Sequence, residues 1–378
     1  MKQKAMVLTI ILTILQLVAG WFGYSYINEV SNQGVWSFWW IVGVVVVTLA
    51  AIGVGGLFNI VMHELGHLFG GLLTGWSFNF FNVMGLTWLK EDGKIKLKFI
   101  KPNGLKGTVN LSPPDMRNGT LPYKLYLFGG ALMNIVVAVA FFALFFHFAR
   151  DVSFFARACL VVGLVGIDMG ISNLLPTSGA NSSDGYLILN LGSKKNKEMR
   201  LNFWRTTRLS TLNIRGTRPR HFPAIYFEEI TTQTVIGDPY VFAVAMTKYE
   251  YLLDCEELGK AEAYLKAIYE RADLSYQAFI QLHLLFHELI GACREEEVKR
   301  LHTKEVQNLG KAYYFNVGVQ RVLYAYERLF VKDMPQVEAQ LNAFHKACSK
   351  YSVSFGSMIG ERELIGLIDE ITDKKYKA

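Results

Sequence analysis

Residues 63–67 read His-Glu-Leu-Gly-His. On an α-helix, positions i and i+4 share a face, so His63 and His67 can present two imidazoles to one ion while Glu64 projects beside them. Neutral imidazoles suit Zn²⁺, which in a catalytic setting takes a third protein ligand and keeps one position open. Such an ion lowers the pKa of a bound water and polarises a carbonyl. A neighbouring glutamate can then take a proton from the water and pass it to a leaving amine. The chemistry implied is metal-assisted hydrolysis, with Glu64 as general base. The plain alternative is a helix that happens to carry two histidines.

The preceding residues weigh against that alternative. Val30 to Met62 is a run of 33 residues without a charged side chain. Ionisable groups at the edge of such a run are costly in a bilayer and mark function by default. Composition agrees: 51% of the chain is hydrophobic and the mean hydropathy is +0.23. Four segments are long enough to span, at about residues 5–28, 36–62, 123–149 and 155–176, the second continuing into the His-Glu-Leu-Gly-His helix. The first follows Met-Lys-Gln-Lys and is read as a retained helix rather than a cleaved signal peptide. Only His147 interrupts the apolar run from Leu125 to Ala149 with a basic side chain, and Asp168 is the only acid between Ala158 and Ser183.

Lysine and arginine set the expected orientation. Eight of them, from Lys90 to Lys124, lie between the second and third spans, and the chain after the fourth span is long and charged. Both termini are therefore expected in the cytoplasm, with the metal motif at the cytoplasmic end of the second span. The expected location is a bacterial cell membrane. The net charge of +7 fits flanks lying near anionic lipid. No basic–aromatic module accompanies it, which speaks against nucleic acid.

The segment 76–117 is not featureless. Glu91-Asp92-Gly93-Lys94 signals a turn, and Ile95, Leu97 and Phe99 alternate with Lys94, Lys96 and Lys98. That pattern predicts a membrane-associated β-hairpin with one apolar face. It can lie at the interface, offer an edge to an extended substrate, or simply link two helices. Two acids compete for the third ligand position. Asp184 follows Asn173-Leu174-Leu175-Pro176, where a break in the helix can turn the chain back toward the second span. Asp168 lies inside the fourth span and can serve as a proton relay or a helix-packing partner.

These residues resemble the site-2 protease family of intramembrane zinc metalloproteases. His63-Glu64-Leu65-Gly66-His67 is similar to its zinc-binding helix, and Gly129-Gly130-Ala131-Leu132-Met133-Asn134 to its glycine-rich helix ending in asparagine. Asn173-Leu174-Leu175-Pro176 with Asp184-Gly185 is similar to its Asn-x-x-Pro and Asp-Gly signature. The resemblance covers about residues 36–190. It implies Zn²⁺ held by His63, His67 and Asp184, Glu64 as the general base, and Asn134 and Asn173 positioning substrate. Read without it, Gly129, Gly130 and Asn134 point first to close helix packing. Ala131 stands where the family commonly has proline, the link from Pro176 to Asp184 is longer and more polar, and no PDZ domain is visible.

The remainder differs in kind. Residues 193–237 read as a basic cytoplasmic connector, and 238–378 as a helical cytoplasmic domain whose periodicity suggests tetratricopeptide-like helix pairs. Such a stack can bind a cytoplasmic protein partner or only stabilise the membrane core. His283 and His287 repeat the i, i+4 spacing but sit among leucines and phenylalanine and read as packed. Four cysteines without a Cys-x-x-Cys pair are expected as free thiols. The expected fold is therefore mainly α, a polytopic membrane helix bundle of about four spans (domain 1–192) with a hairpin and a helical cytoplasmic domain. The expected activity is zinc-dependent cleavage of a membrane protein or signal-peptide-derived segment. The alternatives are a non-proteolytic metal-binding partner protein, or a metal-dependent membrane enzyme acting on a lipid or small molecule.

Overall fold

Three long apolar helices carry the first part of the chain. The computed structural model describes residues 38–91, 93–99, 107–116, 119–148, 154–177, 182–193, 196–349 and 355–377. The expected first span, 5–28, lies outside them. The second, third and fourth expected spans correspond to α1 (Phe38–Leu73), α2 (Lys124–Phe148) and α3 (Phe154–Leu174), each long and apolar enough to cross a membrane. No proline interrupts α1 over its 36 residues. Its buried residues, Ala51, Gly55, Asn59, His63, Gly66, His67 and Gly70, recur at intervals of three and four and so form one face. Elsewhere α1 exposes Val45, Val46, Leu49 and Val54, as a helix solvated by lipid does.

Small residues let these helices meet backbone to backbone. A Cβ on Gly66 of α1 would overlap the carbonyl of Gly129 in α2, and one on Gly129 would overlap the carbonyl of Gly66. Gly70 meets the Leu125 carbonyl in the same way. The seam is thus Gly66-x-x-x-Gly70 against Leu125-x-x-x-Gly129, the small-residue spacing that suits close crossing where no hydrophobic drive exists between helices. α3 ends at Leu174, two residues before Pro176, as the restriction on the residue preceding proline requires. A short helix, α4 (Asp184–Gly192), then begins with Ser183 as its N-cap, whose side chain accepts from the Tyr186 N–H.

Between α1 and α2 stands a four-stranded sheet: β1 (Ser77–Val83), β2 (Leu86–Glu91), β3 (Lys94–Phe99) and β4 (Gly107–Ser112), in the order β3-β2-β1-β4. The hairpin expected around 91–94 is therefore half of a larger sheet. The second hairpin is written in Met84-Gly85, whose φ values of 51° and 97° suit a two-residue turn between antiparallel strands. β4 closes the sheet because Val109 and Leu111 alternate and bury, with β1 bulged between Phe78 and Phe80 to hold register. Asn79, buried at that bulge, donates to the Asn110 side chain at 2.8 Å.

A second compact unit begins at residue 198. It is helical: α5 (Lys197–Ile214), α6 (Pro239–Asp254), α7 (Leu258–Tyr269), α8 (Leu274–Ile290), α9 (Glu295–Leu301), α10 (Lys304–Ala312), α11 (Val317–Tyr326), α12 (Met334–Ser349) and α13 (Ser357–Lys377). Leu209, Phe222, Phe227, Ile230 and Ile236 share a core with Val241 and Tyr249 of α6. Much of the stretch read as a connector thus packs as part of this unit. Within it, Arg321 is buried, pairs with Glu361 at 2.8 Å and lies 4.1 Å from the Phe286 ring centroid.

Candidate metal centre

α1 delivers His63 and His67 one turn apart, and α4 delivers Asp184 at its first residue. His63 Nε2 and His67 Nε2 are 3.0 Å apart, and Asp184 Oδ2 lies 3.4 Å from the first and 3.3 Å from the second. Two ligands about 2.0–2.1 Å from a tetrahedral Zn²⁺ stand roughly 3.3 Å apart. The triangle therefore has the dimensions that a tetrahedral ion demands, and both histidines are 7% exposed. Among the described residues this is the one group of three such side chains able to hold a metal. Asp168, the competing acid, lies on the exposed side of α3 and outside the group.

The surroundings fix each donor. His67 Nδ1 stands 2.8 Å from the Tyr126 carbonyl, an acceptor that requires the proton on Nδ1 and so turns the lone pair of Nε2 toward the triangle. Tyr126 is held in turn by stacking on Trp76, whose indole N–H donates to the Pro122 carbonyl at 2.9 Å. Asp184 lies in the first turn of α4, where the helix N-terminus favours its anion. The backbone brings α4 this close because Gly185 lies against the Leu174 carbonyl, where a Cβ would overlap it. Gly130 clears the space over the imidazoles: a Cβ there would lie 2.5 Å from His67 Nε2 and 2.8 Å from His63 Nε2.

Glu64 faces the sheet. Its Oε2 accepts the Val109 N–H at 2.8 Å, and Gly107 sits against Ile60 and Glu64, so β4 runs directly over this side of α1. Asn134 is fully buried, with its amide nitrogen 3.4 Å from His63 Nδ1. The Asn173 amide is half-buried and donates to the Met169 carbonyl of its own helix at 3.0 Å. Sequence reasoning missed Tyr126, Val109 and Asn59. The first two make their hydrogen bonds to His67 and Glu64 through backbone atoms, which leave no mark on residue type. Asn59 did leave one, as the last polar side chain in the charge-free run before the motif.

A cavity of about 660 Å³ lies on another side of α1, lined by Val61, Leu65, Leu68, Phe81 and Trp88, with Lys90 as its charged member. Compared with protein-family models, curated proteins and solved structures, the chain matches none. What fold and site define together is a multi-pass membrane protein with a buried His-His-Asp centre able to hold a divalent metal ion.

Proposed function

We propose that the protein is a zinc-dependent intramembrane endopeptidase, resembling the site-2 proteases, that cuts a membrane-spanning or signal-peptide-derived segment. The observation that carries this reading is the pairing of a ligand triangle of tetrahedral dimensions with a glutamate one residue along the same helix. Zinc, when bound, supplies Lewis acidity and a water of lowered pKa. His63, His67 and Asp184 would hold it, and Glu64 would accept a proton from the water and deliver it to the leaving nitrogen. β4 is an edge strand, and the Val109 N–H that meets Glu64 points away from its β1 partner. An extended peptide that takes the place of Glu64 at the Val109 N–H would bring a carbonyl beside Glu64, which a helical segment, with its carbonyls engaged, cannot do. Asn173 and the sheet edge position this peptide, the cytoplasm is the side from which the centre opens, and the tetratricopeptide-like unit receives a cytoplasmic partner.

A second reading, a metal-dependent enzyme acting on a lipid, is favoured by the apolar 660 Å³ cavity beside the same helix, a volume usual for small-molecule sites. One experiment separates them. Wild type and Glu64→Gln are purified in lipid nanodiscs, zinc content is measured, and single-span peptides and lipid extracts are offered to both. The protease reading expects equal zinc in both proteins and peptide cleavage by wild type alone. Equal cleavage by both proteins, or turnover of lipid only, sinks it.

A further inference from the structure

Two buried acceptors near the centre lack donors. Asn59 and Asn134 are both 0% exposed, and the Oδ1 of each finds no hydrogen-bond partner among the described residues. In a packed helix core an orphaned carbonyl is expensive, so two of them beside one metal centre call for an account. Asn59 lies one helical turn before His63 on the buried face of α1. Its orientation is settled: Nδ2 donates to the Gly55 carbonyl at 2.9 Å and to the Val162 carbonyl of α3 at 3.2 Å, so Oδ1 must be the atom that points away from both.

Asn134 is in the opposite position. The contact its amide makes among the described residues is to His63 Nδ1, 3.4 Å from Nδ2. His63 Nε2 belongs to the ligand triangle and must present a lone pair there, so in the neutral ring the proton sits on Nδ1. Two donors then face each other. The oxygen and nitrogen of a carboxamide are assigned from their surroundings, and turning the group by half a rotation exchanges them. Turned, Asn134 presents Oδ1 to the Nδ1–H of His63 and frees an NH₂ for a buried acceptor.

We infer that Asn134 is a positioning residue for His63: its Oδ1 accepts the Nδ1–H, its NH₂ serves the orphaned Oδ1 of Asn59, and Asn59 is locked by the two backbone carbonyls. The chain Asn59–Asn134–His63 does for His63 what the Tyr126 carbonyl does for His67. This rests on the metal-centre part of the proposed function but not on proteolysis. It also assigns Asn134 to the ligand's far side rather than to the substrate, since a side chain with no exposure that faces Nδ1 holds the ring and not a peptide. Gly166 of α3 makes room for the arrangement, because a Cβ there would lie 2.8 Å from Asn59 Oδ1 and 3.2 Å from the Asn134 carbonyl.

The test reads metal binding, on the Glu64→Gln background so that cleavage plays no part. Zinc affinity is measured by competition with a chromophoric chelator, and the cobalt(II) absorption spectrum reports ligand geometry. Asn134→Leu, which keeps the branched skeleton and loses the acceptor, is expected to weaken zinc binding about 10–100-fold. Asn134→Asp, which keeps the acceptor, is expected to retain both affinity and spectrum, and Asn59→Leu to fall between them. Nitrogen-15 histidine resonances of the zinc-loaded parent are expected to place the His63 proton on Nδ1 in a hydrogen bond. Zinc affinity of Asn134→Leu within threefold of the parent overturns the inference. Where that variant does not fold, a His63 Nδ1 without its proton, or loss of zinc by Asn134→Asp, overturns it equally. Failure of the proteolysis reading is distinct: normal zinc binding with no Glu64-dependent cleavage.

Discussion

Adding one methyl group at position 130 tests the geometry of the centre most directly. The Cβ of an alanine there would stand 2.5 Å from His67 Nε2, 2.7 Å from His63 Cε1 and 2.8 Å from His63 Nε2. Non-bonded heavy atoms rest at about 3.5 Å, so something must move by roughly 1 Å. α2 can retreat only by opening its backbone seam with α1 at Gly66 and Gly129. Turning the rings instead carries a donor about 1 Å from a bond that is only about 2.0 Å long. Either way one of three ligands is compromised. Gly130→Ala is expected to lower zinc affinity by at least roughly 100-fold, about 2.7 kcal/mol. The overpacking costs about 1–3 kcal/mol of fold stability as well. Gly56→Ala is the control, since a Cβ at that position on α1 meets nothing within 4 Å. Chelator competition on both variants, with thermal unfolding alongside, measures each quantity. Zinc binding by Gly130→Ala within threefold of wild type would refute the assigned centre.

Other outcomes follow from the same geometry. Asp184→Ala is expected to abolish stoichiometric zinc while Asp168→Ala retains it, read by metal analysis after dialysis; the reverse result would move the third ligand to α3. His283→Leu with His287→Leu is expected to leave zinc content unchanged, because those rings belong to a packed helix outside the ligand group. That pair also sets a pH dependence. Burial and the nearby Arg321 charge lower both rings, His287 to about 4, whereas in the unfolded chain they titrate near 6.5. The unfolded state then binds protons that the fold refuses, so stability falls as pH drops below about 6.5, His287 alone contributing a loss of about 3 kcal/mol near pH 4. Denaturation midpoints flat from pH 7 to pH 4.5 would contradict this. Arg321→Lys is expected to cost about 3 kcal/mol, because an ammonium cannot both pair with Glu361 and lie flat on Phe286; an unchanged melting temperature would count against it.

Much of the centre was legible because its parts are side chains of restricted chemistry. His63, Glu64 and His67 share a helix, and helix spacing alone places them together. Asp184 was harder, because a chain reversal after Pro176 decides where it goes, and residue types fix that reversal only loosely. The three described spans follow directly from the length of their apolar runs. The sheet was half read: the Glu91–Lys94 turn was visible through alternating lysines, while the Met84-Gly85 turn hides inside a segment with few polar breaks. β4 was missed because Gly107–Ser112 has only Val109 and Leu111 as apolar markers. The core role of residues 209–236 was also hidden, since lysines and arginines mask apolar residues that pack at irregular spacing.

The length of α1 has a consequence for depth. At about 1.5 Å per residue its 36 residues run about 54 Å, against a hydrocarbon layer of about 30 Å. Laid with Phe38 at one boundary, about 20 residues use up the layer, and the opposite boundary falls near Leu57. His63 lies about 9 Å further along, and His67 about 9 Å short of the helix end at Leu73. The ligand triangle then stands at the rim of the bilayer rather than at its centre. On the proposed proteolytic reading, a membrane-spanning chain reaching it would surrender only its last turn or two of helix, and lengthening that chain's apolar run by a few residues would carry the cut site out of register with the triangle.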